Sequence, residues 1–492
     1  MSATAPRGRV TPTATTLAVG LMLAGLGAGC SGQAPAPVAA SAAEWPDFCG
    51  ISLDAIPDAR ARFEIENAIV KEKLNTALLP AMRAQGIDMW IVLDRENNSD
   101  PLHAEIGGGF SGVRAAFIYF DGGSDTPEKI YFGSHEQPAN SVIAQTYDRK
   151  HYYGYGKEGL TPLLREAVHS RRPQRIGVNT SATLPEADGL TVGLREFLAT
   201  AVGPEYAKRI VSAELLVRDF RTNRTPLETK AYTNLLNWTA RWQCEALGDA
   251  NIVAGKTTAE DIAWWLEDRA LALGLTGSGT PRVVREGDLL PLNAPDLAIQ
   301  PGDIISIDGG LQYLSFATDI KRAVYVLKAG ESAPPASIVE AWTDTLRVAD
   351  LYTSRMRPGN VGHVVWEGLM AEVEKQGYAI AYPDAGGGVT ATSKPEVGVY
   401  GHSVGNVAHD IGARIASDLP FAYGDRVRFP LRAPEWVSIE FHVSTPIPEW
   451  NGKTWYARFE DTAQVGGQGA AYLIPRQSRL LLVAGSKALA SE

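Results

Sequence analysis

The sequence has few cysteines, no excess of positive charge and, beyond its N-terminus, no apolar run long enough to cross a membrane. Only three cysteines occur in 492 residues, and none of them forms the close pairs that bind zinc. The net charge of −10 and the pI of about 5.5, without any basic run, argue against nucleic-acid binding. Hydrophobic residues make up 45% of the chain, which is enough for one or two large domains with complete cores.

The N-terminal segment has the pattern of a bacterial export signal. Arg7 and Arg9 precede an apolar stretch from about Leu17 to Ala28, and small residues then lead to Cys30. This pattern predicts a signal peptide over 1–30 of the lipoprotein type, with Cys30 as the lipidated residue. Ordinary cleavage that releases a soluble periplasmic product is the alternative. The apolar stretch is too short to favour a transmembrane anchor.

The segment 31–44 is rich in Ala, Pro and Ser, which is typical of a flexible tether. The expected location is therefore extracytoplasmic, either free in the periplasm or lipid-anchored to a bacterial membrane. In such an oxidising compartment Cys49 and Cys244 could form a disulfide, but the sequence alone leaves this pairing open.

Residues 45–222 alternate helical and strand patterns, which predicts an α/β domain. Four apolar runs have the length and composition of buried strands. These runs are 89–93, 115–120, 129–132 and 175–178. The charged segment 94–101 follows the first run, and its side chains are expected to cap a loop. A reach over the active site is the alternative for this segment.

A domain boundary is predicted at 222–223, because a clear helix start follows it. Thr225 is a capping residue, Pro226 suits the first turn, and Glu228 completes a capping box. The helix is expected to continue to Leu247, where Gly248 ends it.

Two further turn-plus-helix units follow in the C-terminal part. One opens at 255–260 and ends near Gly274, and the other opens at 358–361 and ends near Gly377. Their spacing of about 104 residues (359 − 255) indicates a weak internal repeat.

Five residues in the C-terminal third form the strongest functional pattern: two aspartates, one histidine and two glutamates. They are Asp308, Asp319, His402, Glu440 and Glu460. Each lies in a predicted strand or where a strand joins a loop. Four carboxylates gather around one imidazole only if cations neutralise them, and two divalent metals with shared bridging ligands would do so.

The two glutamates occupy equivalent positions in two predicted strands. The strand at 436–443 places Glu440 on a polar face opposite an apolar face, and the strand at 456–462 does the same for Glu460. The two strands therefore direct one glutamate each towards what is expected to be a single polar pocket.

The motif order resembles that of the pita-bread metallopeptidases, which include aminopeptidase P, prolidase, methionine aminopeptidase and their non-peptidase relative creatinase. The pattern is Asp-x10-Asp, Gly-His-x-x-Gly with a following His-Asp, Ile-Glu, and Arg-x-Glu-Asp-Thr. The resemblance covers roughly 45–475. It implies an α+β fold, with a pita-bread domain and its curved antiparallel sheet at 223–480. An α/β creatinase-like domain at 45–222 precedes it, and a tail at 481–492 follows.

The resemblance also implies a role for each ligand. Asp308 would be a terminal ligand of one metal, and His402 and Glu440 would be terminal ligands of the other. Asp319 and Glu460 would bridge the two ions. The implied cofactor is a pair of divalent metals, and carboxylate-rich ligation favours manganese over cobalt, zinc or iron.

Catalysis in such a site uses a hydroxide that bridges the metals, because two divalent cations lower the pKa of bound water. Glu440 would shuttle a proton to the leaving amine. His409 matches the histidine of the family that contacts substrate, with a structural histidine as the alternative. Arg458 matches the arginine two residues before the last glutamate.

The sequence departs from the family pattern in its supporting histidines. The stretch 279–287 has no histidine where aminopeptidase P and prolidase carry a catalytic one, and 396–400 lacks another that precedes the metal histidine. Arg282 and Arg285 are the candidates to replace the missing imidazole. The departure bears on proline specificity more than on metal binding.

Three charged or titratable neighbours of the ligands have no place in the motif. Lys321 and Arg322 are expected either at the strand surface or paired with carboxylates. His442 lies on the same strand face as Glu440 and is expected to be structural.

The first functional hypothesis is an Xaa-Pro aminopeptidase or prolidase that releases the N-terminal residue of a peptide. A non-peptidase metalloenzyme of the same fold, acting on small C–N or sulfonium compounds, is the second. A non-catalytic binding domain is the third, and the complete ligand set argues against it. The expected partner is a peptide and no nucleic acid. Membrane association is expected only through the lipid anchor, and the family implies a homodimer.

Overall fold

In a computed structural model, the structure describes residues 46–50, 53–154, 156–279, 281–286, 297–381, 394–419 and 424–484. The predicted signal peptide, the tether and the tail from 485 onwards lie outside the described residues. No helix within the described ranges has the length and apolar character needed to span a membrane.

The N-terminal part is built on one mixed sheet of six strands, in the order β4-β3-β2-β1-β5-β6. The strands β1, β2 and β3 are antiparallel neighbours, whereas β4, β5 and β6 join in parallel. The strands are β1 Met89–Asp94, β2 Ala115–Phe120, β3 Glu128–Gly133, β4 Arg149–Tyr152, β5 Ile176–Val178 and β6 Ile210–Ser212. All four predicted strands are present within a residue at each end.

Seven helices of the described chain accompany this sheet. They are α1 Ala59–Thr76, α2 Leu78–Ala84, α3 Val142–Thr146, α4 Thr161–Arg171, α5 Val192–Val202, α6 Pro204–Ala207 and α7 Glu214–Thr222. The central strand β1 is buried along its whole length, because its two faces pack into separate apolar clusters. This double burial explains why its sequence is continuously apolar rather than alternating.

The charged segment after β1 caps a loop, as expected. Asp94 is fully buried, accepts a hydrogen bond from the amide of Asp100 at 2.7 Å and from the hydroxyl of Ser111, and pairs with His103 at 2.8 Å. These contacts satisfy the carboxylate inside the N-terminal part.

The C-terminal part contains four further helices and four small sheets within the described residues. The helices are α8 Pro226–Ala246, α9 Ala259–Ala272, α10 Ala336–Arg355 and α11 Gly362–Lys375. Helices α8 and α9 begin at the capping boxes of Thr225 and Thr258, and α8, α9 and α11 end within two residues of the predicted glycines. Helix α10 adds a fourth that the sequence patterns did not single out.

The four sheets have the strand orders β11-β10-β7, β21-β12-β9-β8, β13-β14-β17-β18 and β15-β16-β19-β20. All but two of their neighbouring pairs are antiparallel. The strands are β7 Thr276–Gly277, β8 Arg282–Arg285, β9 Ile304–Gly309, β10 Leu311–Tyr313, β11 Phe316–Ala317, β12 Ile320–Leu327, β13 Ala379–Ile380, β14 Glu396–Val399, β15 His402–Ser403, β16 Trp436–Ser438, β17 Phe441–Pro446, β18 Thr454–Phe459, β19 Thr462–Gly466, β20 Gly469–Tyr472 and β21 Leu481–Ala484.

The expected tail begins with a strand, because β21 runs parallel to β12 inside the second of these sheets. Trp45–Glu492 forms one compact unit, and the boundary at 222–223 stays a prediction.

Three strand connections cross from one sheet to the next along a single line. The breaks fall between β14 and β15, between β16 and β17, and between β18 and β19. Backbone hydrogen bonds from Tyr400 to Glu440 and from Ile439 to Asp461, both 3.0 Å, continue the ladder across the breaks. The amide of Lys321 donates to the carbonyl of Glu460 at 3.0 Å and joins β12 to the same line. This line, where three sheets meet, carries the candidate site.

Candidate metal centre

The five predicted ligands come together, joined by His409. Ligand atoms of three overlapping groups lie within 4.8 Å of one another in the described part of the chain. The groups are His402 with Glu440 and Glu460, Asp308 with Asp319 and Glu460, and Asp319 with His402 and His409. The centre is lined by the carboxylate and imidazole donors that divalent metals take.

The aspartates are brought together by the antiparallel pairing of β9 with β12. Ile320 pairs with Gly309 and Lys321 pairs with Asp308, so Asp319 lies one step beyond the end of the ladder. Helix α8 fastens both ends of this connection, because the buried amide of Gln243 donates to the carbonyls of Gly309 at 2.8 Å and Ile320 at 2.9 Å.

His402 is prepared for metal binding by its hydrogen bond on the far side of the ring. Its Nδ1 donates to the carbonyl of Ser403 at 3.0 Å, so Nε2 is the ring nitrogen that faces the carboxylates. Nε2 is buried without a hydrogen-bond partner, 3.6 Å from Glu440 Oε2 and 3.5 Å from Glu460 Oε1. A cation bound between Nε2 and these two oxygens would give the nitrogen a partner. A metal-binding histidine typically donates its other ring N–H to a carbonyl or carboxylate, which orients the ring towards the metal.

Lys321 enters the centre from β12. Its ammonium lies 2.8 Å from Glu440 Oε1 and 3.3 Å from Asp308 Oδ2, and it hydrogen-bonds Glu460 Oε2. The lysine is buried, with a side chain only 4% exposed. Of the two expectations for this lysine, pairing with carboxylates is confirmed. Arg322 behaves likewise and pairs with Asp461 at 2.8 Å.

The electrostatics of the centre follow from burial and from this lysine. Burial and the charge of Glu460 raise the pKa of Asp319 well above its ordinary value. Burial also raises the pKa of Glu440, although Lys321 opposes the shift. Glu460 loses hydration too, but Lys321 and His402 outweigh that cost and hold its pKa well below the usual range. Burial would lower the pKa of Lys321, yet the carboxylates, led by Glu440, raise it well above normal.

His409 lies at the mouth of the centre on a firmly anchored loop. Its ring is 64% exposed, contacts the ring of His402 at 4.5 Å between centroids, and places Nε2 3.9 Å from Asp319 Oδ2. The next residue, Asp410, is buried and pairs with Arg224 at 2.7 Å and Arg221 at 3.3 Å. The alternative of a satisfied structural histidine does not describe an exposed ring in this position.

Arg458 contacts a carboxylate that the sequence patterns did not single out. It pairs with Glu286, whose side chain is 1% exposed and which also accepts from Ser306 Oγ at 2.5 Å. Arg458 also lies opposite His442 in the pairing of β17 with β18. The paired Arg458 and Glu286 thus form one wall beside the ligands.

The replacements considered for the missing imidazole lie in different settings. Arg285 pairs with Asp303 at 2.7 Å, whereas Arg282 lies opposite Asp308 in the pairing of β8 with β9.

His442 stacks on Tyr400 with ring centroids 5.6 Å apart. Burial and the charge of Arg458 lower the pKa of His442 to about 4. In the sequence, His442 was noticed because it lies on the same predicted strand face as Glu440.

Several solved structures share the fold of this chain. The structure of an X-Pro aminopeptidase from Thermotoga maritima is 17% identical and has a TM-score of 0.59, covering 82% of this chain and all of that one. The structure of a dipeptidase from Mycobacterium ulcerans is 17% identical with a TM-score of 0.55, and the match covers 85% of this chain and 99% of that one. The structure of an Xaa-Pro dipeptidase from Bacillus anthracis is 16% identical with a TM-score of 0.53, and the match covers 85% of this chain and all of that one. A search of functionally curated proteins finds no match.

The fold and the carboxylate-rich centre define a pita-bread protein of the α+β class, as predicted. More particularly, residues 236–466 match the model of metallopeptidase family M24. All five predicted ligands, His409 and Arg458 fall within these residues.

Proposed function

We propose that the protein is a metal-dependent exopeptidase of the Xaa-Pro type, acting as an aminopeptidase or a dipeptidase. The observation that carries the proposal is the buried, unpartnered Nε2 of His402, which faces the oxygens of Glu440 and Glu460. The M24 match and the structural neighbours named for X-Pro substrates support the choice of peptides.

The donor set suits a divalent ion, with manganese as the best match to carboxylate-rich ligation. The five ligands are sufficient in number for two ions. A bound ion would supply Lewis acidity and lower the pKa of a bound water.

The chain's own residues supply proton transfer and access. Glu440 has a raised pKa and a side chain 22% exposed, so it can take up a proton and deliver it to a leaving amine. His409 is exposed at the opening, where it can contact the substrate, and Asp410 holds its loop in place. Arg458 is kept in position by Glu286.

The test is hydrolysis of a panel of Xaa-Pro and Xaa-non-Pro peptides by the purified protein with manganese, with chelator and after the change Glu440→Gln. Chelation should abolish cleavage, and Glu440→Gln should reduce kcat about 10²- to 10⁴-fold, as expected for loss of a general acid–base. Glu396→Gln, on the neighbouring strand β14, is the matched control and should cleave normally. Absence of metal-dependent cleavage across the panel would refute the peptidase assignment.

A non-peptidase metalloenzyme is the second candidate, and two features favour it. The supporting histidines of the peptidases are missing from 279–287 and 396–400, and Lys321 lies among the ligands. Metal-dependent turnover of small amidine or sulfonium compounds, without peptide cleavage, would select this function.

The proposed location is extracytoplasmic. The disulfide between Cys49 and Cys244 supports an oxidising compartment. The lipid anchor on Cys30 and a homodimer belong to the same proposal. Labelling with a radioactive fatty acid would test the lipid anchor, and sedimentation of the purified protein would test the homodimer.

A further inference from the structure

The ammonium of Lys321 contacts one oxygen of each glutamate, and the other oxygen of each faces His402. Glu460 Oε1 also accepts a hydrogen bond from Ser438 Oγ at 2.5 Å. Glu440 directs Oε1 to Lys321 and Oε2 to His402, and Glu460 directs Oε2 to Lys321 and Oε1 to His402. Asp308 Oδ2 forms an ion pair with the same ammonium at 3.3 Å.

The strand geometry keeps Lys321 in this place. Its own amide donates to the carbonyl of Glu460, which fixes the backbone of β12 against the ligand line. The next residue, Arg322, points to the opposite side, where it is buried against Asp461 and also donates to the carbonyl of Phe48. Because successive residues of a strand point to opposite faces, the buried Arg322 holds Lys321 on the side of the centre.

The centre therefore divides into two different halves. On one side His402 Nε2, Glu440 Oε2 and Glu460 Oε1 lie 3.5–3.6 Å apart across the imidazole. Ligands of one metal at about 2.1 Å lie about 3.0–3.4 Å from one another, so a small contraction would close these atoms around an ion. On the other side Asp308 and Glu460 group with Asp319, and Lys321 hydrogen-bonds Glu460 Oε2 and lies 3.3 Å from Asp308 Oδ2.

The charges lead to the same division. Ions in two-metal centres lie about 3.5–4 Å apart, and a second dication on the Asp308 side would have to share its oxygens with a buried ammonium. A dication and an ammonium that share the same oxygens repel each other, and this repulsion is stronger in a poorly hydrated site.

We propose that the centre binds one divalent cation, on the His402 side, and that Lys321 takes the place of the second. The inference rests on the proposed metal-dependent function and restricts it. On the Asp308 side the carboxylates then surround the ammonium of Lys321 instead of a second ion.

The test is the stoichiometry of Mn²⁺ on the full-length protein, measured by titration calorimetry and by metal analysis after dialysis. Wild-type protein should bind one Mn²⁺ per chain and give the six-line paramagnetic resonance spectrum of an isolated ion. Lys321→Met keeps the length of the side chain and removes its charge, and it should bind two. The doubly loaded variant should show the exchange-coupled spectrum of a manganese pair.

Lys328→Met, just past the end of β12, is the matched control and should keep one ion. Lys321→Thr gives a second uncharged variant if the methionine form does not fold. Two Mn²⁺ per wild-type chain would overturn the inference while leaving metal-dependent hydrolysis in place. One ion without peptide cleavage would support the inference and count against the peptidase. No bound Mn²⁺ would overturn both.

Discussion

At the scale of single residues, Asp410 ties the loop of His409 to the helical layer. Its carboxylate pairs with Arg224 and Arg221, and it accepts hydrogen bonds from the amides of Asn406 at 2.9 Å and Ile411 at 2.8 Å. These partners outweigh burial and lower its pKa to about 2. The mouth of the metal centre therefore depends on a buried charge network.

Asp410→Asn should destabilise the fold by about 3 kcal/mol, because two buried guanidinium groups each lose one counter-charge. Arg221 would keep only Glu105, and Arg224 only Glu228. Urea unfolding followed by tryptophan fluorescence measures the change. Asp418→Asn removes an exposed partner of Arg428 and should change stability by less than about 1 kcal/mol. Equal unfolding midpoints for the two variants would contradict the anchoring role.

A second buried carboxylate predicts a dependence of stability on pH. Burial raises the pKa of Asp100 to about 6, since its hydrogen bonds from Leu102 and Asn179 offset only part of the lost hydration. The folded state then binds the proton more tightly than the unfolded chain does. The stability that this group contributes is present below about pH 4 and is lost as the pH rises towards about 6.

Asp100→Asn should remove this contribution. The free energy of unfolding of the wild type relative to the variant should fall by up to about 3 kcal/mol between pH 4 and pH 6.5, and then stay level. Urea titrations at four pH values in the presence of constant Mn²⁺ give the difference. Parallel curves for the two proteins would show that Asp100 does not titrate in this range.

At the scale of secondary-structure elements, helix α8 holds the segment that joins Asp308 to Asp319 in the candidate metal centre. Gln243 fastens both ends of the β9–β12 connection, and Thr239 bonds Thr318 through their hydroxyls at 2.8 Å. The residues so held directly follow Asp308 and flank Asp319. The helix thus sets the spacing of the two aspartates.

Gln243→Met should fill the same space but leave the carbonyls of Gly309 and Ile320 without their donor. A loss of about 1–3 kcal/mol of stability and a weaker Mn²⁺ affinity are expected. Calorimetric titration with Mn²⁺ and thermal unfolding measure both effects. Gln464→Met, on β19, is the control for an amide that bonds only the Trp436 indole. Unchanged affinity in Gln243→Met would separate the helix from the site.

The elements that could be predicted from the sequence are those with local signals. Apolar runs predicted β1, β2, β3 and β5, a capping box predicted the start of α8, and the turn at 255–260 predicted the start of α9. Helix α10 follows Pro335 and has no side-chain cap, so no start signal marks it. The break between β16 and β17 was not predicted either. The alternation of Val437, Ile439 and Phe441 continues through it, and all three side chains are buried.

The grouping of the five candidate ligands could be predicted, because each motif is local and their order is specific. The contacts of Lys321 could not, because they depend on partners 119 and 139 residues away. The sequence left that lysine either at a strand surface or in a carboxylate pair. Only the register that joins β12 to Glu460 decides between them.

At the scale of the whole molecule, one covalent link ties the start of the described chain to helix α8. The disulfide joins Cys49 to Cys244 across 195 residues of sequence. The same segment is also held by Arg241, which donates to the carbonyls of Cys49 and Gly50 at 3.0 Å. A link across so long a loop mainly restricts the unfolded chain.

Reduction of this disulfide should lower the stability of the protein by about 2–5 kcal/mol while leaving the fold intact. The fold should survive because the hydrogen bonds of Arg241 and the burial of Phe48 remain. Urea unfolding with and without dithiothreitol measures the change, and thiol counting confirms that the bond has opened. The double variant Cys49→Ser, Cys244→Ser should have the same lowered stability with and without dithiothreitol. If dithiothreitol opened the bond in the wild type and left its unfolding curve unchanged, the link would have no stabilising role.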